Sequence, residues 1–100
     1  MVKHLVLLKL PNNCPESSII NAMDKLQALS SKLNFKNFSH GYNNSTKRLN
    51  KDFNYAFSME FNSTAERDNY ESDPIHINIA KQHLLPLINN NTESILVFDF

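Results

Sequence analysis

Tyr70 and His76 stand on either side of the pair Asp73-Pro74, and their types and spacing admit acid–base chemistry. The residue before a proline avoids the α region, as a helix N-cap residue does, and proline suits the first helical position. A helix therefore starts at Asp73-Pro74 and carries His76 in its first turn. The positive end of the helix dipole disfavours an imidazolium there, leaving a neutral ring that can accept a proton near pH 7. Such a ring can act as general base toward a C–H next to a carbonyl, while a tyrosine hydroxyl donates to the enolate oxygen or holds the carbonyl. The same spacing has a purely structural reading, with His76 bonded to Asp73 or a backbone carbonyl and Tyr70 filling the core. His4 and Tyr55, on the helix-facing sides of their strands, are expected to line the same cavity.

The other chemistry-bearing residues form weaker patterns. His83 follows His76 by two helical turns, and with His4 it could be imagined as a metal site, but no His-Glu or Cys/His ligand spacing accompanies it. No metal and no cofactor are expected. His40, before Gly41, belongs to no constellation. Cys14 has no cysteine to pair with and no neighbouring cation in sequence to activate its thiol. Asp99, between Phe98 and Phe100, suits either a hydrogen bond under the helices or a solvated sheet edge. No Ser-His-Asp order, glycine-rich phosphate loop or paired-carboxylate arrangement is present.

The elements that must position these residues follow from hydrophobic period. Residues 3–10 read as a strand with His4, Val6, Leu8 and Leu10 on one face and Leu5 and Leu7 on the other. After Pro15-Glu16, the positions Ile19, Ala22, Met23, Leu26, Leu29 and Leu33 make one apolar stripe on a helix of roughly five turns. A second strand holds Phe35, Phe38 and Tyr42 and ends near Gly41, the only glycine and so the expected place for a positive φ. Residues 53–61 alternate strictly, with Phe53, Tyr55, Phe57, Met59 and Phe61 facing one way. Ser63-Thr64-Ala65-Glu66 is a capping box that starts a short helix, and Pro86 kinks or ends the helix after it. Residues 95–100 form a last strand, apolar on both faces.

The order β-α-β-β-α-α-β fits an α+β, ferredoxin-like protomer, a four-stranded antiparallel sheet with its helices on one face. The uncovered face would expose Leu5, Leu7, Leu96, Phe98 and Phe100, a larger apolar patch than a soluble monomer usually carries. A homodimer packed sheet to sheet through that open face is expected.

Charge narrows the partners. Ten basic and ten acidic side chains cancel, and no basic cluster exceeds Lys47-Arg48, so neither nucleic acid nor an anionic membrane is an expected partner. The apolar run at Leu5–Leu8 is too short for a signal peptide or a membrane span, and a cytoplasmic location is expected. One hundred residues suit a single domain over residues 1–100.

Five segments in order carry a resemblance: Val2–Lys9, Gly41–Ser45, Asp52–Ala56, Glu60–Ser63 and Tyr70–His76, joined by Leu96–Phe100 at the end. Together they resemble the stress-responsive dimeric A/B barrel domain family, in which two ferredoxin-like protomers pair their sheets into a dimeric α+β barrel. Within that family the polyketide cyclases of the olivetolic acid cyclase type are similar in the Tyr70–His76 segment. That likeness implies Tyr70 and His76 as catalytic residues of a cofactor-independent, aldol-type cyclase or lyase. It also implies His4 as a pocket histidine, with Tyr55 standing where those enzymes have another. Residues 89–93 look like an insertion. A small apolar or carbonyl, polyketide-like ligand is the function implied, with a non-catalytic stress-protective or structural dimer as the alternative.

Overall fold

The computed structural model describes residues 1–100. Its order is β1 (Val2–Leu8), α1 (Glu16–Gln27), β2 (Phe35–Tyr42), β3 (Tyr55–Phe61), α2 (Thr64–Ser72), α3 (Pro74–Ile79) and β4 (Ile95–Asp99). The strands pair antiparallel in the order β2-β3-β1-β4, giving the expected ferredoxin-like α+β sheet. Period-2 alternation decides which face is covered: Val2, His4, Val6 and Leu8 of β1 and Tyr55, Phe57, Met59 and Phe61 of β3 are buried beneath the helices. The α1 stripe Ile19, Ala22, Met23 and Leu26 closes on them. Fully burying each of the larger apolar side chains contributes roughly 1.5–3 kcal/mol. On the other face Leu96, Phe98 and Phe100 are exposed, beside half-buried Leu5 and Leu7. No helix is long and apolar enough to cross a membrane.

Both helix starts that flank the site follow the sequence signals. The Ser63 hydroxyl accepts from the Glu66 N–H at 3.2 Å, the forward half of the capping box. The reciprocal bond from the Ser63 N–H to the Glu66 carboxylate is not formed, and Glu66 Oε2 is buried without a partner. Asp73 sits extended at ψ 128° and its carboxylate accepts from the Ile75 and His76 N–H groups at 2.8 and 3.3 Å.

Two local expectations are corrected. Regular α1 stops at Gln27, and the stripe runs on through tight turns from Ala28 to Asn34 that still bury Leu29 and Leu33. Left-handed Asn34 (φ 59°) ends this segment, as asparagine often ends helices. Gly41 is not the positive-φ residue: it lies in β2 opposite Ala56, and left-handed backbone falls at Asn34, Asn37, Lys51, Asp52, Asn89 and Asn90. Asparagine tolerates that conformation because its short side chain bonds locally. Asn37 (φ 56°) lies in a bulge, which lets Phe35 and Phe38 both reach the helix face, their rings 6.2 Å apart. Pro86 falls where the helix was expected to kink or end, and the helical geometry changes there. With no N–H for the Gln82 carbonyl, it follows a widened π-type turn, Ala80–Leu84, in which the Leu85 N–H reaches back to the Ala80 carbonyl.

Candidate functional site

Between the sheet and the α2–α3 corner lies a cavity of about 200 Å³, lined mainly by apolar side chains together with His4, Tyr70, Glu71 and His76. Three of the four site residues expected from sequence therefore share one cavity. Each arrives by a separate local rule. Strand alternation turns His4 inward from β1, opposite Met59. Tyr70 lies on the buried side of α2 near its end. The Asp73-Pro74 start swings the chain so that the His76 ring lies over the Tyr70 ring, centroids 3.9 Å apart. His4 meets the Tyr70 ring edge-on, centroids 5.9 Å apart.

Tyr55 lies elsewhere. It pairs with Leu8, four strand residues from His4, a separation of about 13 Å at ~3.3 Å per residue. Its hydroxyl is bonded to His40 Nδ1, its ring packs against Tyr42, and it does not line the His4–Tyr70–His76 cavity. Phe57, two residues on, takes the expected place of Tyr55 in the cavity wall. His83 also lies apart, with Nδ1 3.4 Å from Asn21 Nδ2. Burial pushes the Cys14 thiol up, away from the reactive thiolate form.

Burial sets the protonation states. The Tyr70 hydroxyl is pushed well above the ordinary tyrosine value, first by burial and then by the Glu71 charge, so it remains a donor at neutral pH. His76 is pushed below the ordinary histidine value, chiefly by burial; the nearby Glu71 carbonyl opposes this, His4 adds to it, and the Tyr70 carbonyl and Asp73 charge oppose it more weakly. Its Nδ1 is buried with no hydrogen-bond partner. Of the two bonds in the structural alternative, the side-chain bond from His76 to Asp73 is not formed, since Asp73 takes the backbone N–H instead, while the backbone carbonyls of Glu71 and Tyr70 do lie beside the ring.

Asp99 adds a feature that the sequence left open. It faces the helices, opposite His4 in the β1–β4 register, and its Oδ1 accepts from His4 Nδ1 at 2.8 Å. Arg67 Nη1 donates to the other oxygen at 2.7 Å, and Arg67 Nε lies 2.9 Å from Asp68 and 3.4 Å from Glu71. Ligand atoms of His4, Glu71 and Asp99 fall within 4.8 Å of one another, a spacing compatible with a metal ion. The positive charge among them is the arginine's, which already bridges both carboxylates. Arg67 escaped the sequence reading, although its position three residues before buried Tyr70 put it on the same α2 face.

Comparison with known proteins agrees with this architecture. No curated protein matches the chain. A dimeric ferredoxin-like protein from Jannaschia sp. CCS1 superposes with a TM-score of 0.86 at 28% identity, covering 99% of this chain and 96% of its own. An Arabidopsis thaliana protein gives 0.86 at 22% identity over 100% and 93%. A hydroxynitrile lyase from Passiflora edulis gives 0.80 at 19% identity over 99% and 90%. The family model described as Stress responsive A/B Barrel Domain matches residues 2–100, and the chain belongs to that family.

Proposed function

We propose that this member of the stress responsive A/B barrel family acts as a homodimer that binds a small, neutral carbonyl compound in the His4–Tyr70–His76 cavity and acts on it by cofactor-free acid–base chemistry. The observation that carries the reading is the convergence of one proton acceptor and one proton donor in a single mostly apolar cavity. His76 is kept neutral by burial, so it accepts a proton from a carbon acidified by a neighbouring carbonyl. Tyr70 keeps its proton and steadies the oxygen on which negative charge develops. In a cyclase-type reaction the carbanion then attacks a second carbonyl; in a lyase-type reaction the same two groups serve a bond cleavage beside the carbonyl.

Size and charge restrict the ligand. At about 200 Å³ the cavity is smaller than the roughly 300–1,000 Å³ of drug-sized sites, so it takes one ring or a short chain, and a longer polyketide must extend through the mouth. The guanidinium beside it is engaged by Asp68, Glu71 and Asp99, leaving no free cation there for a carboxylate or phosphate. His4 completes the wall. Tyr55, on its separate edge, belongs to a ligand site only if the ligand reaches that far.

The dimer rests on the open face, where Phe98 and Phe100 are 57% and 68% exposed and Leu5 stands opposite Phe98. It is also in keeping with the dimeric description of the Jannaschia protein. A second reading, a non-catalytic dimer with a structural or protective role, draws on Tyr70 being 1% exposed and packed between Phe35 and Phe61. His76→Ala separates the two: turnover of a β-polyketone thioester or a smaller carbonyl substrate should be abolished while the dimer persists. Equal rates in wild type and variant would eliminate the acid–base mechanism.

A further inference from the structure

We infer that Arg67 is a positioning residue: through Asp99 it fixes the His4 ring so that Nδ1 carries the proton and Nε2 stands as a free acceptor at the cavity. The chain of contacts is short and continuous, from Arg67 Nη1 to Asp99 Oδ2 at 2.7 Å and from Asp99 Oδ1 to His4 Nδ1 at 2.8 Å. It joins three elements, α2, β4 and β1, and the Asp99 side chain at its middle is 16% exposed.

For a neutral His4 ring the chemistry of the three groups allows one arrangement. A guanidinium only donates, and it does not lose its proton in proteins. Held against one carboxylate oxygen, it stops the carboxylate from turning away. An ionised carboxylate only accepts, so the His4 nitrogen facing it must be the one bearing hydrogen. The proton is thereby placed on Nδ1, and Nε2 is left unprotonated on the opposite edge of the ring. Arg67 is itself tethered by Asp68 and Glu71 one and four residues along α2, so its head group has little freedom to release Asp99. The charged and titratable groups around His4 are Asp99 from β4, Arg67, Tyr70 and Glu71 from α2, and His76 from α3. Without the arginine, Asp99 keeps only the His4 N–H as a side-chain partner, and its carboxylate is free to rotate.

The use of Nε2 toward a ligand rests on the reading of the cavity as a carbonyl-binding site; the position of the proton does not. The test is therefore spectroscopic. Long-range ¹⁵N–¹H spectra of the imidazoles are recorded near pH 8 for the wild type, Arg67→Met, Arg67→Gln and Arg67→Lys. The wild type should give the Nδ1–H pattern for His4. Arg67→Met or Arg67→Gln should shift both ring nitrogens toward the averaged values of exchanging tautomers, and Arg67→Lys, which restores a cation, should bring them back toward wild type. An unchanged His4 pattern in whichever of Met or Gln retains dispersed amide signals, or an Nε2–H pattern in the wild type, would overturn the assignment. Acetophenone, titrated into each protein, separates the two layers. A changed tautomer with unchanged acetophenone shifts upholds the positioning role and counts against the ligand reading.

Discussion

Replacing His76 by glutamine is expected to remove an acid-labile part of the stability. Burial holds the folded imidazole below the ordinary histidine value, with the Glu71 carbonyl as the main opposing influence. In the unfolded chain the same ring takes up a proton near pH 6.5. Between that pH and the lower one at which the folded ring titrates, the unfolded state binds more protons than the folded state, so stability rises with pH. One imidazole limits the slope to about 1.4 kcal/mol per pH unit. The contribution is fully present above about pH 6.5 and is lost as the pH falls through the folded value. Urea unfolding of wild type and His76→Gln from pH 5 to 8, at one protein concentration, isolates this effect because titrations shared by the two proteins cancel in the difference. The difference should be constant above about pH 7 and should move against the wild type below 6.5. A difference that stays constant to pH 5, or moves in favour of the wild type there, would refute the argument that His76 is buried neutral.

Tyr70→Phe should separate packing from chemistry: the ring stays in the aromatic cluster, so stability should change by less than about 1 kcal/mol in urea unfolding, while turnover of a carbonyl substrate falls by about 10²-fold or more. Asp73→Ala removes the acceptor for two helix N–H groups and should cost about 1 kcal/mol in the same assay, with added mobility of the His76 ring visible in its NMR linewidth. Phe98→Asp places a charge on the open sheet face; light scattering should then report the 11.5 kDa protomer in place of twice that mass. A dimer that survives this change would place the interface elsewhere.

The fold was legible because its strands and first helix are strongly periodic. His4, Val6 and Leu8 of β1 and the odd-numbered residues 55–61 of β3 are buried as alternation requires. What alternation cannot supply is the length scale along a face or the place where it slips. Tyr55 does face the helices, as expected, yet the β1–β3 register sets it opposite Leu8 and out of reach of the His4 cavity. Phe35 and Phe38 could not share a face in a regular strand, and they do so because one left-handed asparagine absorbs a residue. The preference of Asn for that conformation was visible in the sequence, but its position within β2 was not.

The site divides along the same line. The Asp73-Pro74 start is a local signal, written in residues that touch one another, and it placed His76 over Tyr70 without any knowledge of the sheet. Asp99 depends on a partner ninety-five positions away, and its two sequence-level readings, core hydrogen bond or solvated edge, differ only in whether β4 lies beside β1 with His4 opposite. The sheet order settles that choice, and Arg67 then takes the carboxylate oxygen that His4 leaves open. The α2 face that buries Tyr70 is also the face that can deliver a cation to Asp99, which is why the residue with the weakest sequence signal stands at one end of the most continuous polar chain in the site.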